Sequence, residues 1–245
     1  MHPPAQHRAH PAPSGLLAGL VVLTAAGLSA CGTVNSARPL APGQHQVGVT
    51  LGGPLLRVGG ATLAMPNLVL QGRSGVALLA DRPLDVDYGL NLTTAAFGIV
   101  AVHGGASWLA LDQRGALPAL SLSNRLWVAD NHLDFTKASG TRGLHAVDQV
   151  ELTTSWDTSP ALLYGGAAQY IDFREPSLLL TPFVGAAWHL GKGWDLQTEF
   201  RHYSISRDNP QANVDWVTWG PGAMGATLSI SKRTGSISKR TGGSQ

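Results

Sequence analysis

Apolar and polar residues alternate along most of this chain with a period of two. In Leu84–Thr93, Leu84, Val86, Tyr88, Leu90 and Leu92 fall on one face, and Asp85, Asp87, Gly89, Asn91 and Thr93 on the other. Val47, Val49 and Leu51 oppose Gln46, Gly48, Thr50 and Gly52. Trp194, Leu196, Thr198 and Phe200 oppose Asp195, Gln197, Glu199, Arg201 and Tyr203, and Met224, Ala226, Leu228 and Ile230 oppose Ala223, Gly225, Thr227 and Ser229. This is the signature of strands with one apolar face. No helical period appears between Gln44 and Ile230. The pattern predicts ten strands, at 44–53, 66–78, 84–95, 99–111, 118–129, 145–157, 161–173, 178–190, 194–205 and 220–231. Most match the 9–11 residues or so that a tilted strand needs to cross a bilayer, against about 5–6 for an average strand.

The connections alternate in length. Leu79–Pro83, Asp112–Leu117, Thr158–Pro160 and Gly191–Gly193 are short, whereas Pro54–Ala64, Asp130–Leu144 and Ser206–Trp219 are long, and 96–98 and 174–177 are brief exceptions. Outer-membrane barrels combine short periplasmic turns with longer outer loops. The expected fold is therefore all-β, an antiparallel up-and-down transmembrane barrel of about ten strands, with eight the nearest alternative. Trp108, Trp156, Trp188 and Trp194 fall at the short-turn ends of their strands, and Trp127, Trp216 and Trp219 at the long-loop ends, which predicts an aromatic girdle at each interface. The competing architecture is a tethered soluble barrel with the apolar faces turned inward.

Composition favours the membrane form. Charged residues are 13% of the 245, against about 25% in typical soluble domains, and the chain has only four Lys. The non-apolar faces are rich in Gly, Thr, Ser and Gln rather than in charge. Gly reaches 30 residues, nearly twice the usual ~7%. A single Cys excludes an intrachain disulfide, and a net charge of +2 is too small for a nucleic-acid footprint.

The first 30 residues read as an address. Gly15–Ala30 is an apolar run too short for a transmembrane helix, and it ends Leu28-Ser29-Ala30-Cys31. This resembles the bacterial lipobox, in which the Cys takes the lipid as its thiolate. The resemblance implies a signal peptide at 1–30, lipidation of Cys31, and, with Gly32 following, sorting to the outer membrane of a Gram-negative bacterium. Residues 31–43 then form a polar, Pro-rich tether, 44–231 the barrel, and 232–245 a disordered basic tail in which Ser229–Gly235 (SISKRTG) repeats as Ser236–Gly242.

The polar faces collect Arg73, Asp85, Asp87, Arg125, Glu151, Asp195, Glu199 and Arg201. In a narrow barrel such groups form an interior plug of ion pairs and hydrogen bonds, or line a small pore. A second candidate is Phe200-Arg201-His202-Tyr203-Ser204, followed by Asp208-Asn209-Pro210 and Asp215. It resembles the active-site segment of outer-membrane lipid A deacylases. The resemblance makes Ser204 the nucleophile, His202 its base and Asp215 the orienting acid, on the lipid-facing side of the strand. Ile205 and Ser206 stand where that family has Asn and Ala, and Gln211 replaces its loop Gly. Ten strands also resemble the omptin proteases. Here Asp130, His132 and Asp134, and His145 with Asp148, lie in or beside the third long loop without that family's constellation. No spacing calls for a metal or cofactor. The expected partners are outer-membrane lipid and lipopolysaccharide, and the expected role is structural or interaction-related, with acyl hydrolysis as the alternative.

Overall fold

The computed structural model describes residues 34, 37–77, 82–96, 98–131, 143–173, 178–204 and 215–235. Cys31, the signal-like run, residues 205–214 and the second SISKRTG copy lie outside them. Eleven strands form: β1 (His45–Val58), β2 (Ala61–Ala64), β3 (Asn67–Val76), β4 (Leu84–Asn91), β5 (Ile99–Leu111), β6 (Ala119–Asn131), β7 (Gly143–Asp157), β8 (Ala161–Asp172), β9 (Leu178–Gly191), β10 (Trp194–Tyr203) and β11 (Ala223–Thr234). Each pairs antiparallel with its neighbour, and β11 returns to pair with β1 from His45↔Thr234 to Pro54↔Gly225. Setting aside β2, which pairs only with the end of β1, ten strands close an up-and-down barrel with no free edge around its wall.

The alternation resolves into an inside and an outside. On β10, Phe200 is 55% exposed while its neighbours Glu199 and Arg201 are 1% exposed. Val47, Val49 and Leu51 of β1, Val86 and Tyr88 of β4, Leu122 and Leu126 of β6, and Leu228 and Ile230 of β11 are all exposed. Thr50, Asp85, Asp87, Arg125, Thr227 and Ser229, which alternate with them, are buried. The apolar face therefore points outward, and the inward-apolar soluble barrel does not form.

The four short connections gather at one end, here the hairpin end; the longer ones gather at the other, the loop end. The tightest hairpin, β9 to β10, places Gly191, Lys192 and Gly193 all at positive φ. Gly193 has a second constraint, since a Cβ there would lie 2.6 Å from the Arg233 carbonyl oxygen.

Four local expectations change. The strand expected to run to 95 stops at Asn91, whose side-chain oxygen accepts the Thr94 N–H at 3.1 Å and starts a short helix, α1 (Leu92–Ala96). Inside the expected loop 54–64, β1 bends at Gly52 (φ +138°) and continues beyond the rim to pair with β2. The segment before β11 joins this extension: the Arg57 N–H donates to the Asp215 carbonyl at 2.8 Å, and Val217 N–H to Leu55 at 2.9 Å. Lys232–Thr234, placed in the disordered tail, instead continue the β1–β11 ladder. Trp127 is buried, because it alternates with the outward Leu126 and Val128; it belongs to the interior and not to a girdle. Trp156 and Trp194 are exposed on the outer wall at the hairpin end, and the Lys232 ammonium sits 5.1 Å from the Trp194 ring centroid.

The expected tether is also no free linker. Arg38 Nε donates to Ser155 Oγ at 3.0 Å, and the Leu40 N–H donates to Asp85 Oδ2 at 2.9 Å. Gly43 N–H reaches the Gly75 carbonyl at 3.1 Å. Residues 37–43 thus lie across the barrel mouth at the hairpin end.

Candidate functional site

Among the described residues, ionisable groups concentrate in the barrel interior. All eight charged residues of the polar faces project into it: Arg73 from β3, Asp85 and Asp87 from β4, Arg125 from β6, Glu151 from β7, and Asp195, Glu199 and Arg201 from β10. They form two layers.

The layer nearer the hairpin end runs across the seam where the barrel closes. Asp85 pairs with Arg73. Arg73 donates to Gln46 Oε1 at 3.1 Å, and Gln46 Nε2 donates to Asp195 Oδ2 at 2.9 Å. Arg233 completes the chain by donating to the same Asp195 oxygen at 2.9 Å, and the exposed His189 contacts its other oxygen. Five strands, β4, β3, β1, β11 and β10, are tied by one line of polar side chains.

The middle layer draws side chains from β4 to β10. Arg125 Nε donates to Asp87 Oδ1 at 2.7 Å, and His103 Nε2 lies 3.5 Å from the same oxygen. The His103 ring lies 4.4 Å from the Trp127 ring, centroid to centroid, and Trp127 Nε1 donates to Gln149 Oε1 at 3.1 Å. Gln149 Nε2 donates to Glu151 at 2.9 Å, and Thr153 Oγ1 donates to its other oxygen at 3.1 Å. Glu199 pairs with Arg201, whose Nη1 donates to Tyr170 Oη at 2.8 Å and whose guanidinium lies 5.5 Å from the Phe183 ring centroid. Arg125, Gln149, Glu151, Glu199 and Arg201 are buried. A lumen wet enough to carry ions would leave such groups in contact with water. Here their charges are met by each other and by Gln, Thr and Tyr, the condition for burying an ion pair at tolerable cost.

The sequence reading missed the neutral members of this network. Gln149, Tyr170, Trp127 and His103 each share the parity of a charged or small inward residue on their strand, which was the available signal. Arg38 had none, because nothing in GTVNSARPLAPG marks a segment that folds inward.

The other candidates are not brought together. His202 projects from the outer side of β10, and its Nε2 donates to the Pro221 carbonyl at 2.9 Å, leaving only Nδ1 as a base. Ser204 follows β10 at φ +55°, and its backbone N–H donates to Thr181 Oγ1 at 3.2 Å. Asp215 lies in the extension above the rim. Among the described residues no hydrogen bond joins these three side chains. His145 pairs with Asp172 at 3.0 Å, while Asp148 accepts from Asn124 at 2.8 Å. His132 and Asp134 lie outside the described residues, and no cluster of metal-ligating side chains occurs among the described ones.

No protein-family model matches the chain, and no curated protein aligns with it. Among solved structures, the translocator domain of autotransporter NalP from Neisseria meningitidis is similar at 10% identity, covering 90% of this chain and 96% of that one, with a TM-score of 0.41.

Proposed function

We propose that this chain is a lipid-anchored outer-membrane β-barrel, sealed across its middle, whose role is structural or interaction-related. The observation that carries the membrane reading is the inverted burial: aliphatic and aromatic side chains cover the outer wall while arginines, carboxylates and amides fill the inside. A monomer in water does not expose a continuous apolar belt of this kind, whereas a bilayer provides its natural solvent. The short hairpins then face the periplasm and the longer loops the outside. Trp156 and Trp194, with Lys232 beside Trp194, sit at the hairpin end where an inner interface belongs. Cys31 carries the anchor in this reading, and outer-membrane lipid and lipopolysaccharide are the surrounding partners.

The longer connections and the β1–β2 extension at the loop end supply the surface for an interaction role in this reading. The buried, mutually paired middle layer favours a plug over a pore. Planar bilayers containing the purified protein test this. The proposal expects no discrete conductance steps above the lipid background; regular, ion-selective steps would replace the plug with a pore.

A further inference from the structure

We infer that the outer wall around Asn124, Asp148 and Gln169 is an interface at which a second copy of this chain docks within the membrane. The inference rests on the membrane reading of the outer wall. Parity sets these three side chains outside: Arg125, Gln149 and Tyr170, which follow them on β6, β7 and β8, are all buried. Asn124 and Gln169 both pair with Val150, and Asp148 is the next outward residue of β7, opposite Leu126. The three thus form one patch on adjacent strands, and it lies inside the apolar belt. Leu122 and Leu126 flank Asn124 on β6, and Ala146 and Val150 flank Asp148 on β7. Among the described residues, Asp148 is the one charged side chain on the outer wall with apolar outward neighbours on both sides along its strand.

Acyl chains offer a carboxylate and two carboxamides no hydrogen bond, so such groups in the belt mark a contact with something polar. The wall itself meets only part of that demand. Asn124 Nδ2 donates to Asp148 Oδ1 at 2.8 Å, and Gln169 Nε2 donates to the Tyr170 carbonyl at 3.2 Å. Among the described residues, the bond from Asn124 is the one hydrogen bond to the Asp148 carboxylate, which has room for about four. The patch holds donors and acceptors together, so it is complementary to itself: across a two-fold axis the carboxylate of one copy meets the carboxamides of the other. The ground beside it is low. Ala106 on β5 pairs with Asn124, and at Gly104, the next outward residue, a Cβ would meet nothing closer than the Asp87 carbonyl oxygen at 4.0 Å. The outward Gly72 on β3, by contrast, is already covered by the Tyr88 ring, 2.6 Å from where its Cβ would stand. Small uncovered residues let a second wall approach closely enough for the polar groups to meet.

Cross-linking tests this with the purified full chain carrying Cys31→Ser, reconstituted in phosphatidylcholine vesicles at a low protein-to-lipid ratio and treated with a bis-maleimide. Val150→Cys stands at the centre of the patch, and Val49→Cys, equally exposed, stands on the opposite side of the barrel. Covalent dimer at Val150→Cys should exceed the unspecific collisions reported by Val49→Cys at least about tenfold. Adding Asn124→Leu with Asp148→Leu, which removes donor and acceptor together, should cut that dimer at least about tenfold, the scale of one hydrogen bond to a charged group. The heat-modifiable gel mobility of a folded barrel should be kept. Equal cross-linking at the two positions in a heat-modifiable barrel would overturn the interface, leave the membrane reading standing, and hand the patch to lipid or a different protein. So would a Val150→Cys dimer undiminished in the folded double variant. A chain that shows no heat-modifiable mobility and is not retained by the vesicles would overturn both readings. If the leucine pair blocks folding, Gly104→Val, which raises the low ground and leaves the polar groups in place, is read by the same criterion.

Discussion

At the scale of single residues, the glycine content follows from the size of the side chains inside a narrow barrel. Tyr164 on β8 is paired directly with Gly185 on β9, and a Cβ on Gly185 would lie 2.3 Å from the tyrosine ring. The reciprocal pair is Phe183 with Gly166, where a Cβ would lie 2.9 Å from the phenylalanine ring and 2.0 Å from the Leu152 carbonyl oxygen. His103 lies over Gly89, and Tyr203 over Gly225, in the same way. Each ring lies flat against a strand that offers no side chain, which lets large groups share a small lumen. Gly185→Ala should therefore destabilise the barrel by about 1–3 kcal/mol through overpacking. Because the cause is the ring, Gly185→Ala combined with Tyr164→Leu should lose less than the two single effects added together. Urea titration of the refolded protein, comparing the wild type with the two single variants and the double, measures this coupling. Simple additivity would mean that the glycine serves something other than the tyrosine.

At the scale of elements, the strands were legible because burial on one side only writes itself into every second residue. β5 (Ile99–Leu111) lies where its alternation placed it, and the other wall strands depart by a few residues at their ends. What alternation cannot carry was lost. It does not say which face is wet, a question settled by exposure of Phe200 beside burial of Arg201. It assigns Trp127 to a girdle only if tryptophan is assumed to face lipid, whereas the parity of its strand turns the ring inward onto His103. It is silent on residues 37–43, which have no period of their own, and on a helix started by one Asn91 cap. The charged interior was legible from the same parity, residue by residue, while its neutral partners were not singled out.

The wall pattern makes a position-dependent prediction for one strand. Val49 sits mid-strand on the outer face, between Ile230 of β11 and Leu70 of β3, all three exposed. Val49→Arg should cost about 2–4 kcal/mol in lipid vesicles, the depth-dependent penalty for a charge near the bilayer midplane. Val58→Arg, on the same strand but in the extension past the rim, should cost close to nothing. Equal effects at the two positions would remove the apolar belt from the account.

At the scale of the whole molecule, the closed wall and the polar interior belong to one arrangement. The β1–β11 ladder leaves the wall without an edge, the Asp85–Arg73–Gln46–Asp195–Arg233 line ties the seam from inside, and the middle layer buries its charges in mutual contacts. The result is a closed barrel whose hairpin-end mouth is partly covered by residues 37–43, and whose proposed place is a membrane. The most direct test of that claim is heat-modifiable mobility on SDS gels of the membrane-extracted protein, wild type beside Cys31→Ala. The account predicts a faster-migrating unheated band in the outer-membrane fraction for both proteins, because the barrel itself holds the membrane. A single mobility regardless of heating, with Cys31→Ala released into the soluble fraction, would contradict it.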